Sequence, residues 1–183
     1  MNLWQRYKLN RKDLETSNGI SLHFEKGIEP EFRKLCIQFV SWLRKNYSFP
    51  VHLNVYIKDC EKIRLIGDQM AYGGFRYFEN RNPYIRIPAR IEPNVREAYE
   101  DIEIYYSILS SLVHELTHYY QWVAGLAQTD AVSERQANYF RFRVIEQFCK
   151  DCDLPYWSED GWNLKLYQLW MTELADLLNR RKD

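Results

Sequence analysis

A histidine-glutamate-any-any-histidine pattern, set inside the longest helical stretch of the chain, constrains the fold more than any other feature. From about Val95 to Ala124 the apolar residues Ile102, Tyr105, Leu109, Leu112, Leu116, Tyr119 and Val123 recur at three- and four-residue steps, the period of a helix with a buried face. Within it stands Ser111-Leu112-Val113-His114-Glu115-Leu116-Thr117-His118-Tyr119-Tyr120. Four residues turn a helix by about 400°, so His114 and His118 lie one turn apart on nearly one face and can share a tetrahedral ion. Glu115 is rotated by about 100° from His114, which puts its carboxylate beside such an ion and not on it. That is where a general base belongs, acting on a water that the ion activates. The competing reading is a solvated helix carrying two surface histidines. Against it, the motif takes two of only four histidines, and Leu112, Val113, Leu116, Thr117, Tyr119 and Tyr120 around it are uncharged.

A catalytic zinc ion takes three protein ligands and keeps one position open. No histidine follows His118, so the third ligand is sought among the acidic residues of the next helix. Gly125 ends the first helix, and Thr129 or Asp130 caps a second that runs to about Phe148, after a connection short enough to make the pair antiparallel. Glu134, in Ser133-Glu134-Arg135-Gln136-Ala137-Asn138, stands near its start. Ala137 is small enough to let the helices approach, and Asn138 can hydrogen-bond a histidine ring nitrogen. The other reading of Glu134 is an exposed glutamate paired with a nearby Lys or Arg. Asp130 is the rival ligand, although a capping role engages its carboxylate.

The remaining chain predicts an α+β fold. Ile20, Leu22 and Phe24 alternate as in a short strand; Glu29-Pro30 opens a helix with Phe32, Leu35, Cys36, Phe39 and Leu43 on one face; Val51 to Ile57 reads as a strand. Ala71 to Phe78 and Tyr84 to Ile87 are further strands, separated by the turn-rich Asn80-Arg81-Asn82-Pro83, and together they make a small mixed sheet. An amphipathic helix is expected from about Asn163 to Asn179. At 183 residues the chain is expected to form a single domain, 1–183, in which 1–18 is a flexible or peripheral N-terminal segment.

Composition narrows the partners. The 25 basic and 25 acidic side chains cancel without a long run of one sign, so no nucleic acid partner is expected. No stretch approaches membrane-spanning length and the start lacks a basic-then-apolar leader, which predicts a cytoplasmic protein without a membrane partner. In that setting Cys36, Cys60, Cys149 and Cys152 are expected as thiols, and the lone Cys149-x-x-Cys152 as an inert helix end. His23 and His52 read as structural histidines, and Tyr119, Tyr120 and Trp122 as packing, unless a tyrosine hydroxyl reaches the metal.

At His114-Glu115-Leu116-Thr117-His118 followed by Glu134-Arg135-Gln136-Ala137-Asn138, the sequence resembles the zincin metallopeptidases, in particular their glutamate-ligand branch, the gluzincins. The Glu-x-x-Ala-Asn arrangement resembles the small intracellular ImmA/IrrE peptidases. The likeness to SprT-like proteins is weaker, because those use a third histidine. The resemblance spans roughly Ala71 to Phe148 and departs from the larger gluzincins in two ways. Only 15 residues separate His118 from Glu134, and no downstream Tyr or His for the oxyanion is evident. It implies a zincin-like domain with Zn²⁺ on His114, His118 and Glu134 and with Glu115 as general base. The implied activity is hydrolysis of a peptide or protein substrate. It also implies that Tyr72-Gly73-Gly74-Phe75-Arg76-Tyr77 is the strand along the cleft, although its glycines read equally well as a bulge. The alternative function is a catalytically inactive zincin-derived domain that binds or regulates a partner protein.

Overall fold

The computed structural model describes residues 2–9 and 19–154. The chain divides into two compact units, Met1–Phe148 and Cys149–Asp183, and of the second only Cys149–Leu154 is described. In chain order the elements are α1 (Leu3–Arg6), β1 (Ile20–Phe24), α2 (Pro30–Asn46), β2 (Leu53–Lys58), β3 (Ile63–Arg64), β4 (Met70–Ala71), β5 (Gly74–Phe78), β6 (Arg81–Pro88), α3 (Pro93–Ala98), α4 (Asp101–Val123) and α5 (Asp130–Asp151). The first unit is a mixed α+β fold built on a small mixed sheet. The helix expected at 163–179 lies outside the described residues.

The sheet runs β1-β2-β6-β5, with β1, β2 and β6 parallel and β5 antiparallel at one edge. Period-two alternation decides which side is covered. Leu53, Val55, Ile57, Ile85 and Ile87 are buried on one face, while Tyr56 is exposed on the other. Helix α2 packs against β1, and α4 against β5 and β6. Pro30 opens α2 at its first turn, where its missing N–H costs nothing. Phe32, Leu35, Cys36, Phe39 and Leu43 are buried as their spacing predicts.

Three of the boundaries that differ from the sequence expectation have a visible cause. The segment expected as one strand from Ala71 is two, because Met70–Ala71 pairs with Ile63–Arg64 in a separate two-stranded sheet before Gly74 enters the main one. The turn expected at 80–83 ends sooner, and Arg81-Asn82-Pro83 already belongs to β6. Pro83 is tolerated there because pairing with β2 begins only at Tyr84, and the β5 register shifts between Arg76 and Phe78. The long helix begins at Asp101, since Tyr99 is extended and Glu100 caps α4 reciprocally with Glu103. The short helix α3 precedes that break.

The polar N-terminus contributes more burial than its composition suggests. Leu3 and Trp4 of α1 are buried, and Trp4 Nε1 donates to Thr117 Oγ1 at 3.0 Å, inside the His114–His118 turn. Trp4 also meets Tyr47 and Tyr120 edge-on, each at 5.0 Å. From the other side, Tyr119 Oη accepts from Val51 N at 3.1 Å and donates to Val51 O at 2.6 Å. The central turn of α4 is thus fixed by a residue of α1 and by the lead into β2. No helix among the described residues is long and apolar enough to cross a membrane.

Candidate metal centre

Helix α5 returns along α4 in the antiparallel sense. Ser133 meets Gln121, Glu134 meets His118 and His114, Asn138 meets His114, and Arg141 meets Ser110. Ala137 is fully buried in this sequence, a side chain small enough for close helix approach. Thr129 caps α5 by its backbone, its carbonyl accepting from Val132 and Ser133, so Asp130 falls in the first turn, where it lines the cavity.

Among the described residues the ligand atoms of His114, His118 and Glu134 lie within 4.8 Å of one another. The two Nε2 atoms are 3.1 Å apart; Glu134 Oε2 lies 3.2 Å from His114 Nε2, and its Oε1 lies 3.1 Å from His118 Nε2. Three ligands about 2.0–2.1 Å from a tetrahedral zinc ion sit roughly 3.3 Å apart, so the triangle fits that ion. The ring nitrogens on the far side agree. His114 Nδ1 faces Asn138 Oδ1 at 3.1 Å and His118 Nδ1 faces Gln121 Oε1 at 2.8 Å. An amide oxygen only accepts, so with the two amides in this orientation each Nδ1 is the donor and each Nε2 turns a lone pair inward. Two lone pairs and a carboxylate converging on one point are a donor set that could hold a metal ion.

No protein family, curated protein or solved structure matches this chain. The chemistry is read from its own atoms.

Glu115 is buried at 9% exposure and lines the same cavity as His114, His118 and Glu134. Burial raises its carboxyl above the usual range, against the pull of His114, His118 and a hydrogen bond from the Phe75 N–H. A carboxylate of raised proton affinity suits proton transfer at neutral pH. Glu134 is shifted the other way, well below the usual carboxylate range, because the His114 and His118 rings beside it favour its charged form. The two glutamates therefore differ in kind: one is held charged beside the two imidazoles, the other is poised to take a proton.

The cavity, of about 760 Å³, runs between β5 and the start of α5, with Gly73, Phe75, Arg76 and Tyr77 on the strand side. Sequence reasoning left Gly73 undecided between cleft and bulge. A Cβ there would lie 2.7 Å from Glu115 Oε1, so glycine lets the chain leading into β5 pass this close without displacing that carboxylate. Trp122, four residues beyond His118, continues the histidine stripe into the cavity and stacks on Tyr77 at 5.4 Å. Tyr119 and Tyr120 are fully buried with hydroxyls engaged by Val51 and Ser48, which removes them as oxyanion donors. His23 pairs with Asn54, and His52 with Ser21, both away from the centre. Gln121 and Ser133 carry no signal in the sequence, because their contacts arise only once α5 lies against α4.

Proposed function

We propose that this chain is a zinc-dependent peptidase of the zincin type, gluzincin-like in its ligand set, that hydrolyses a bond in a peptide or protein substrate. One observation carries the proposal: His114, His118 and Glu134 converge in a metal-sized triangle while Glu115 stands buried beside them on the wall of the same cavity. A purely structural site has no use for such a carboxylate.

The three converging side chains would hold the ion, which when bound supplies a Lewis acid that polarises a carbonyl and acidifies water. Glu115 accepts the proton from the attacking water at its carboxylate, and its raised affinity keeps that proton until the leaving amine takes it. The Phe75 N–H holds the carboxylate against the β5 wall. Among the described residues strand β5 pairs with β6 on one side only, so its other edge offers backbone groups to an extended substrate. A cytoplasmic setting belongs to the same reading.

The test is zinc content of the purified protein by elemental analysis, followed by hydrolysis of a mixed peptide library read by mass spectrometry. Glu115→Gln is expected to retain zinc and lose hydrolysis. A chain that takes up no zinc when it is supplied would refute the metal site. Zinc uptake without cleavage of any peptide would favour the inactive binding domain.

A further inference from the structure

We infer that Gln121 sets the tautomer of His118, and that the backbone carbonyl of Ser133 sets the orientation of Gln121. The consequence for metal binding rests on the zinc-site reading; the hydrogen-bond geometry does not.

A neutral imidazole carries one proton, and only its other nitrogen can bind an ion. His118 must therefore keep its proton on Nδ1 if Nε2 is to face His114 and Glu134. The partner at Nδ1 is an amide, which presents oxygen at one end and NH₂ at the other, so the tautomer depends on which end faces the ring.

Gln121, at 6% exposure, has both ends engaged. Its Oε1 lies 2.8 Å from His118 Nδ1 and accepts from Ser133 Oγ at 2.5 Å. Its Nε2 donates to the Ser133 carbonyl and to Gln136 Oε1, each at 3.0 Å. Two donors and two lone pairs are used, which is all that a carboxamide has. Turning the amide over would set Oε1 against the Ser133 carbonyl, two acceptors with no proton between them, in a buried place.

A backbone carbonyl cannot donate under any condition, so the nitrogen end must face Ser133. The oxygen end must then face His118. The ring must donate from Nδ1, and Nε2 is left with its lone pair turned toward His114 and Glu134. Ser133 Oγ, 3.3 Å from Nδ1, gives its proton to Gln121 Oε1 and does not compete for the ring. His114 has no such lock, since Asn138 reaches it through one side-chain oxygen. Ser133 and Glu134 are neighbours in sequence, so seating the first turn of α5 delivers the third ligand and fixes the tautomer of the second together. Gln121 is thus a positioning residue that acts through His118.

Long-range proton–nitrogen NMR on the full chain, metal-free and at a pH where the ring is neutral, reads the tautomer directly. The wild type is expected to carry the His118 proton on Nδ1. Gln121→Met keeps length and removes both ends of the amide. The Nε2–H form should then appear, and zinc affinity, measured against a chromophoric chelator, should fall about 10- to 100-fold. Ser133→Ala removes the hydroxyl but keeps the carbonyl, so the tautomer should stay. The inference is overturned by an Nε2–H tautomer in the metal-free wild type, which requires no variant to fold. It is also overturned by a Gln121→Met protein with unchanged tautomer and zinc affinity. A wild type with the Nδ1–H tautomer that nonetheless binds no zinc supports this inference while refuting the function proposed above.

Discussion

Gly73 and Glu115 touch across the cavity: a methyl group on Gly73 would come within 2.7 Å of Oε1 and 3.0 Å of Cγ of Glu115. The glutamate is buried and holds a hydrogen bond from Phe75, so it has little freedom to withdraw. Gly73→Ala is expected to displace the carboxylate, cutting hydrolysis at least tenfold while zinc stays bound. The overpacking should cost about 1–3 kcal/mol of stability. Full activity in this variant would show that the Glu115 carboxylate need not sit where it does.

The charges at the centre predict opposite pH responses with and without metal. Burial pulls the His118 imidazolium down, but the hydrogen bond to Glu134, the charges of Glu115 and Glu134, and the bond to Gln121 outweigh it, so its pKa ends above 6.5. Zinc needs a neutral ring, and its affinity should therefore fall as pH drops through a value above 6.5. Without metal the signs reverse. The raised His118 stabilises the fold fully below 6.5 and loses that contribution as pH rises through its folded value. The lowered Glu134 contributes above 4.5 and loses it as pH falls toward its folded value. Melting temperature of the zinc-free protein should thus rise between pH 8 and about pH 6, whereas that of the zinc-loaded protein should fall. Parallel profiles would contradict the pairing.

Glu134→Ala removes one corner of the proposed ligand triangle and leaves two half-buried imidazoles facing each other. Zinc affinity is expected to drop by at least two orders of magnitude, with Asp130→Ala close to wild type. Equal losses from both substitutions, read by chelator competition, would return Asp130 to the ligand set.

Trp4 anchors α1 to the His114–His118 turn, so its removal should act on stability more than on chemistry. Trp4→Ala is expected to cost about 3–5 kcal/mol in denaturant unfolding. Trp4→Phe keeps most of the apolar burial but deprives Thr117 Oγ1 of its donor, costing about 1–3 kcal/mol.

Tyr119→Phe separates packing from chemistry in the tyrosine cluster. The hydroxyl bonds both backbone groups of Val51, so its loss should cost about 1–3 kcal/mol and leave zinc binding and hydrolysis unchanged. A fall in kcat with unchanged stability would make Tyr119 an oxyanion donor after all.

Much of this was legible in the residues because it is local. Helical spacing alone put His114 and His118 on one face and Glu115 beside them, and alternation alone marked β1 and the buried face of β2. Glu134 was legible as a candidate beside Asp130, since no histidine follows His118 and a short connection returns the next helix. The break between α3 and α4 was also local but went unread: Glu100 and Glu103 form a capping box with glutamate at the cap, where Ser, Thr, Asp or Asn is the usual signal.

The rest was decided by tertiary contact. Gly73 gains meaning only from Glu115, 42 positions away, and Trp4 only from Thr117, 113 positions away. Pro83 can enter a strand because β2 does not yet pair with it. Gln121 was an unremarked glutamine until Ser133 came to face it, because hydrogen bonds between helices have no period along the chain. Sequence therefore determined which groups could bind a metal, through the fixed geometry of one helix. The packing of α5 and β5 decided which atoms of those groups face inward, since that depends on where acceptors and backbone from distant segments come to rest.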